Sequence, residues 1–151
     1  MKGFIDNMRA LVERVKCAKC IIDGEVYSEI KQGFLVYIAF NSKEDIDKTE
    51  KMATKIKKLR IFEDENHKLN KSLDDVGGEV LVISSFSLYG DALTGNRPSF
   101  TKSLNYIDAL PIYGAFTVDM SNLVKTKTGQ FGADMLIEAI NDGPLSIIID
   151  L

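Results

Sequence analysis

Hydroxyl side chains cluster at one point of this sequence, the segment 84–87 (Ser-Ser-Phe-Ser), which follows an apolar run. A serine hydroxyl attacks an acyl group only with a general base beside it, and that base is normally histidine. The chain has a single histidine, His67, whose charged and polar neighbours indicate an exposed loop. It has no Gly-x-Ser-x-Gly elbow and no glycine motif for phosphates or dinucleotides. We therefore expect any enzyme chemistry to proceed without a histidine base.

Metal and redox chemistry have little support. Cys17 and Cys20 form a Cys-x-x-Cys pair, but zinc needs four ligands, and the chain has no other cysteine. The pair precedes an Asp23-Gly24 turn that predicts a hairpin, not the strand-to-helix junction of a redox pair. Residues three apart in a strand point to opposite faces. The acidic clusters 63–65 and 74–75 are interpreted as solvated turns. We expect no metal and no organic cofactor.

Composition favours one soluble globular domain. The chain has 151 residues, 45% of them apolar and 27% charged, with a net charge of −3. This charge argues against a DNA-binding protein, which needs a broad basic face, but leaves room for an enzyme that holds only the 3′ end of an RNA. Apolar runs are far shorter than the ~20 residues that span a bilayer, and no secretory signal is present, so we expect a cytoplasmic protein without a membrane partner.

Hydrophobic patterning predicts an α/β fold. The first forty residues contain three or four strands. Ser42 and Asp45 favour a helix start, and the helix that follows has an apolar stripe from Ile46 to Leu59. Its basic residues between 48 and 60 allow two interpretations, a solvated face or a contact surface for acceptor-stem phosphates. Residues 79–83 predict a strand buried on both faces.

Two further segments are less regular. Residues 104–119 suggest a buried helix that Pro111 and Gly114 should kink or shorten. The tail from Phe131 to Leu151 predicts two strands joined at residues 141–144, Asn-Asp-Gly-Pro. Strands followed by alternating strands and helices indicate helices over one side of layered sheets.

The segments 84–91 and 141–146 resemble the two signature motifs of the D-aminoacyl-tRNA deacylases. In that family a Ser-Gln-Phe-Thr-type segment and an Asn-Asp-Gly-Pro-Val-Thr-type segment face each other across a dimer interface. Further matching segments follow the family order: 8–15, 23–25, 60–64, 95–100 and 128–135. The resemblance covers residues 8–151 as the deacylase domain. Residues 1–7 precede the family's usual start and are interpreted as an extension or a tag remnant; a misplaced start codon is a third possibility.

The resemblance implies a three-layer β/β/α single domain and a homodimer. It implies hydrolysis of the ester bond of D-aminoacyl-tRNA, and of glycine mischarged on tRNA, as chiral proofreading in translation. The partner is then the aminoacylated 3′ end of tRNA. Such an ester is already activated, so an enzyme need only hold the carbonyl, place water and offer N–H donors to the oxyanion.

The same resemblance assigns the catalytic segment. Ser87 occupies the position of a family threonine once proposed as nucleophile; whether it attacks or only positions water stays open. Ser85 replaces the family glutamine, and Phe86 matches directly. Backbone amides at Ser85, Phe86 and Ser87 are candidate oxyanion donors, and Ser84 is a candidate substrate contact.

The remaining site residues also follow from the resemblance. Phe131 and Met135 correspond to the pocket for the terminal adenine. Gly143 and Pro144, with a cis peptide bond, correspond to the turn that rejects L-residues, and Arg14 to the arginine that braces it.

Two alternatives remain. A sister group uses the same scaffold with a trans Gly-Pro bond to remove L-alanine from mischarged tRNA. A non-catalytic RNA- or protein-binding module could also retain the fold, since Ser85 and Ser87 depart from the family pattern.

Overall fold

Residues 7–151, the part of the chain that a computed structural model describes, form strands, α-helices and two short 3-10 helices. In chain order the elements are β1 (Arg9–Ile22), β2 (Glu25–Ile30), β3 (Gly33–Ala39), a 3-10 helix (Lys43–Lys48), α1 (Thr49–Lys58), β4 (Phe62–Glu63), β5 (Leu69–Lys71), α2 (Leu73–Val76), β6 (Glu79–Ser84), a second 3-10 helix (Phe86–Tyr89), α3 (Tyr106–Leu123), β7 (Thr126–Thr128) and β8 (Leu136–Asp150).

Most of the predicted N-terminal extension, residues 1–6, lies outside the described residues. The carbonyl of Asn7 accepts a hydrogen bond from the Tyr89 hydroxyl. Met8 is fully buried, and its backbone N–H donates to the Leu151 carbonyl at 2.8 Å. The chain is therefore part of the fold from residue 7 onward, whereas the division into extension and domain stays a prediction.

Strand β1 belongs to both β-layers, because its two halves pair with different strands. Its first half pairs with antiparallel β3, and its last five residues pair with antiparallel β2. β3, β6 and β7 are parallel neighbours. β2 crosses back over this parallel part, where Ser28 Oγ donates to the Thr128 carbonyl at 2.8 Å. The helices cover the opposite face of these parallel strands. The predicted three-layer β/β/α domain is therefore confirmed.

Strand β6 separates the two hydrophobic cores. Val80 and Val82 pack toward the helices, whereas Leu81 and Ile83 pack toward β2 and the second half of β1. All four side chains are buried. Because side chains alternate along a strand, a strand with a core on each face must be apolar at every position. The prediction of a central strand at residues 79–83 is thus confirmed.

The predicted start and apolar stripe of α1 are confirmed, except at the first residue of the stripe. Ser42 caps the 3-10 helix that leads into α1, and the Asp45 carboxylate accepts the Ser42 N–H at 3.3 Å. Ile46, the first residue of the predicted stripe, lies in this 3-10 turn and is 41% exposed. The buried positions of α1 are Thr49, Met52, Ala53 and Ile56, and the exposed basic ones are Lys51, Lys55 and Lys58. Phosphate contact by these lysines stays a prediction.

Helix α3 is longer than the sequence predicts. It runs uninterrupted through Pro111 to Leu123, so the expected shortening at Pro111 and Gly114 is wrong. Proline removes the N–H that would bond to the Ile107 carbonyl, and Ile107 is 81% exposed, so water can satisfy that carbonyl. Packing of the buried side of α3 offsets the loss, with Phe116 and Met120 fully buried.

Strand β8 also differs from the prediction of two strands joined at residues 141–144. It is one strand that pairs with β1 along nearly its whole length. Glu13 pairs with Ser146 and Val15 with Asn141, so residues 142–145 bulge out opposite Arg14 alone. The turn-forming sequence is therefore absorbed as a β-bulge. No helix in the described part of the chain is long and apolar enough to cross a membrane.

Candidate active site

A cleft of about 480 Å³ opens at the carboxyl ends of β3 and β6. Ala39 and Ser84, the last residues of these parallel strands, form its base. Crevices beyond the carboxyl ends of parallel strands are the usual ligand sites of α/β sheets. Four predicted site residues line this one cleft: Ser84, Phe86, Phe131 and Met135.

The two predicted catalytic serines, Ser85 and Ser87, lie beside the cleft. Ser85 Oγ and Ser87 Oγ are 3.0 Å apart and form a hydrogen bond. The chain's only histidine cannot assist them, since the His67 side chain is 88% exposed in the β4–β5 turn, where its Nδ1 lies 3.4 Å from Glu63 Oε2. The hydroxyls are thus arranged for hydrogen bonding to water or substrate, without a base for covalent attack.

The backbone amides of this segment are not equivalent. The Ser85 N–H donates to the Ile38 carbonyl at 2.9 Å, because the β3–β6 ladder extends one residue past Ser84. The prediction of Ser85 as an oxyanion donor is therefore wrong. Phe86 and Ser87 begin the second 3-10 helix, whose first bond runs from the Leu88 N–H to the Ser85 carbonyl at 3.2 Å. Their own N–H groups have no partner among residues 7–151.

Aromatic rings form two sides of the cleft. Phe86, 60% exposed, meets Phe100 edge-on with ring centroids 5.2 Å apart. On the other side Phe131 contacts Tyr106 at 5.0 Å and Tyr113 at 5.2 Å. The predictions named Phe86 and Phe131 but missed Phe100 and Tyr106. Phe100 belongs to a segment that carries the resemblance; Tyr106 lies in the ambiguous segment 104–119 and carried no sequence signal.

Tyr113 packs behind Phe131, and Met135 lines the cleft. The Tyr113 hydroxyl donates to the Val82 carbonyl at 3.1 Å, and burial raises the pKa of this phenol above its usual value. It is therefore a neutral structural donor. Met135 packs over Gly129, where a Cβ atom would lie 2.7 Å from the methionine sulfur.

Arg14 holds the bulge of β8 in place. Its side chain is almost fully buried, with Nε donating to the Asp142 carbonyl at 2.9 Å and Nη1 to the Ile61 carbonyl at 2.7 Å. The Asp142 carboxylate lies 3.5 Å from Nε. Gly143 has φ +125°, and a Cβ atom there would lie 2.9 Å from Arg14 Nη2. The predicted bracing by Arg14 and the predicted cis Gly143–Pro144 bond are both present.

The braced turn lies far from the cleft of its own chain. Arg14 pairs with Phe34 on β3, whereas the cleft begins five residues further along, at Ala39. Five strand residues span about 17 Å. Gly143 and Pro144 are exposed and do not line the cleft. The structure therefore divides the predicted site residues into two groups, about 17 Å apart along the strands.

Metal-binding groups are not assembled at either place. Within residues 7–151 no three or more His, Cys, Asp or Glu side chains lie together as a possible metal site. Cys17 is exposed and Cys20 buried, so the two thiols point to opposite faces as predicted, and both are free.

Comparison with known proteins identifies the family. The family model of D-Tyr-tRNA(Tyr) deacylase matches residues 11–150. A D-aminoacyl-tRNA deacylase of Clostridium novyi is 48% identical over 145 residues, which cover 95% of this chain and 97% of the relative. One of Fusobacterium nucleatum is 44% identical over 144 residues, 95% of each chain. The chain belongs to the D-Tyr-tRNA(Tyr) deacylase family, and the predicted family is confirmed.

Two solved structures share the fold of this chain. A c-Myc DNA unwinding element binding protein is 34% identical and superposes with a TM-score of 0.86 over 93% of this chain and 97% of its own. A probable eukaryotic D-amino acid tRNA deacylase is 16% identical, with a TM-score of 0.80 over 96% of this chain and 100% of its own, and it supports the fold alone.

Arg14→Lys should destabilise the protein by about 2–4 kcal/mol, because an ammonium cannot replace both planar hydrogen bonds of the buried guanidinium. Urea denaturation measures this loss. Arg60→Lys is the matched control: Arg60 also donates to a carbonyl, that of Asn70 at 2.9 Å, but it is exposed. Equal effects of the two substitutions would contradict the bracing role.

Proposed function

We propose that the protein removes D-amino acids, and glycine mischarged on tRNA, from the 3′ end of tRNA by hydrolysis of the ester bond. Membership of the family and its D-aminoacyl-tRNA deacylase relatives support the D-specific activity. The observation that carries the mechanism is the pair of unpartnered amides, Phe86 and Ser87, at a cleft without a general base.

The hydrolysis needs little from the side chains. Water adds to the ester carbonyl carbon, the bond to the ribose oxygen breaks, and the proton of the water ends on that oxygen. Negative charge develops on the carbonyl oxygen, where the Phe86 and Ser87 N–H groups would donate. Removing one such donor costs about 2.7–4 kcal/mol in other hydrolases, so two amides suffice for most of the catalysis. The paired hydroxyls of Ser85 and Ser87 would position the water.

We propose that the working unit is a symmetric homodimer. The outer edge of β8 is long and carries exposed apolar side chains: Leu136 is 69%, Ile140 57% and Ile148 65% exposed. Such an edge favours pairing with another chain. A chain's own Gly143–Pro144 turn is about 17 Å along the strands from its cleft, so a second subunit is needed to bring the two together.

In this arrangement the partner's turn selects the substrate by shape. Its main-chain carbonyls would accept hydrogen bonds from the substrate ammonium, and its atoms would fill the volume where an L side chain projects. A D side chain would point outward, and glycine has no side chain to reject. Selection by exclusion works only while the excluding group is rigid, which is the role of Arg14.

Deacylation assays on matched substrates test the proposed function. The protein should hydrolyse D-Tyr-tRNA and Gly-tRNA, leave L-Tyr-tRNA intact and keep its rate after exhaustive EDTA treatment. Preferential hydrolysis of L-alanyl-tRNA would favour the sister group. Hydrolysis of none of these substrates would favour a non-catalytic module, and a rate restored by added zinc or magnesium would contradict the metal-free mechanism.

Ser87→Ala should slow deacylation only about 2- to 12-fold, the effect of losing one neutral hydrogen bond of ~0.5–1.5 kcal/mol. Single-turnover rates on D-Tyr-tRNA measure it. Ser121→Ala, which removes an exposed hydroxyl on α3, is the control and should have no effect. A loss of several orders of magnitude, with an acyl-serine ester trapped in the wild type, would show covalent catalysis instead.

The substrate also suggests a location and a partner. Charged tRNA is present where translation occurs, which supports the cytoplasm. The expected absence of a DNA partner stays a prediction from the acidic charge balance.

A further inference from the structure

Tyr106 is an exposed aromatic residue of the cleft wall that takes no part in the proposed hydrolysis. It is the first residue of α3, it lines the cleft, and it is 57% exposed. We propose that its ring stacks on the penultimate base of the tRNA 3′ end, the cytosine that precedes the terminal adenosine. This inference rests on the proposed function, because it concerns the same cleft and the same substrate.

Three aromatic rings lie in a row from the hydrophobic core to the solvent on this side of the cleft. Tyr113 is 6% exposed, Phe131 is half-buried, and Tyr106 is the outermost. Neighbouring ring centroids are 5.2 and 5.0 Å apart, and the ring planes are tilted by 42° and 53°. Successive bases of a strand are about 3.4 Å apart when stacked and further apart when the strand is extended and its bases tilt. If the terminal adenine lies against Phe131, the next base toward solvent meets Tyr106.

The Tyr106 ring is held in position before any ligand binds. Gly132 lies directly beneath it, and a Cβ atom at that glycine would be 2.5 Å from Tyr106 Cε2. The Asn105 side chain caps the helix that carries Tyr106 by accepting the Asp108 N–H at 3.0 Å. A fixed ring loses little conformational freedom on stacking, so more of the stacking energy appears as affinity.

An aromatic face suits this base position chemically. Stacking accepts any base and reads no hydrogen-bond pattern. All mature tRNAs end in the same CCA sequence, so the contact would contribute equally to every substrate. Tyr106 should therefore affect substrate affinity and leave the choice between D- and L-residues unchanged.

Two ester substrates of different length separate this role from others. One is D-tyrosyl-adenosine, and the other is D-tyrosyl cytidylyl-(3′→5′)-adenosine, which adds the penultimate base. Tyr106→Ala should lower kcat/KM about 5- to 150-fold on the dinucleotide ester, through KM, as expected for one lost base–aromatic stack. On the adenosine ester the loss should be clearly smaller, because there the variant removes only the packing of Tyr106 against Phe131.

Two further variants control for changes in the fold. Tyr106→Phe keeps the ring and should behave as the wild type on both esters. Ile107→Ala changes the next residue of the helix, which is 81% exposed and does not line the cleft, and should also have no effect.

An equal loss on both esters would place Tyr106 at the terminal adenine and overturn the proposal, as would no loss on either. Calorimetric titration with cytidylyl-(3′→5′)-adenosine and with adenosine gives a readout independent of hydrolysis. The wild type should bind the dinucleotide more tightly, and Tyr106→Ala should lose that gain. If the wild type hydrolyses neither these esters nor D-Tyr-tRNA, the proposed function fails, while this titration still decides the role of Tyr106.

Discussion

The hydrogen bonds of one buried cation, Arg14, determine how the candidate site is built. A buried guanidinium is costly unless its donors are satisfied, and removing a partner of such a group is strongly destabilising. Here the donors reach the carbonyls of Asp142 and Ile61, and the Asp142 carboxylate lies nearby. The strand β1, the bulge of β8 and the chain after α1 are thereby fixed to one another. The bulge cannot relax into regular pairing without leaving this cation unsatisfied.

The length of β1 has a second consequence. The strand extends from the end of the sheet that holds the cleft to the end where it pairs with β2, and Arg14 lies between. The turn that Arg14 braces therefore lies about 17 Å along the strands from the cleft of the same chain. Phe86 and Ser87 offer free amides at one place, and Gly143 and Pro144 offer a rigid exposed main chain at another. In the function that we propose, chemistry and chiral selection lie in different parts of the subunit, and a site shared between two subunits would bring them together.

Sequence patterns predict those parts of the fold where local and global preferences agree. Residues 80–83 must be a central strand because each of their side chains faces a core. The prediction fails where tertiary packing overrides a local signal, as at Pro111 inside α3 and at residues 141–144 inside β8. Both segments contain turn-forming residues, yet each is held in a regular element by neighbours distant in sequence.

The residues of the candidate site also divide into those that the sequence could predict and those that depend on tertiary packing. Motif resemblance identified Phe131 and Arg14 by residue type and position. It could not show that the Ser85 amide is used by the Ile38 carbonyl, because that bond depends on how far the β3–β6 ladder extends. Tyr106 was equally out of reach, since its place above Gly132 arises only when α3 packs beside β7.

In the homodimer that we propose, each working site combines the cleft of one subunit with the Gly143–Pro144 turn of the other. Subunit mixing tests this most directly. Gly143→Ala puts a Cβ atom against Arg14 at a backbone conformation that L-residues rarely adopt, and Ala133→Trp fills the cleft. Each variant alone should be inactive on D-Tyr-tRNA. After subunit exchange the mixture should regain about a quarter of the wild-type activity, because half of the dimers are mixed and each has one intact site. A mixture that exchanges subunits but stays inactive would contradict the shared site.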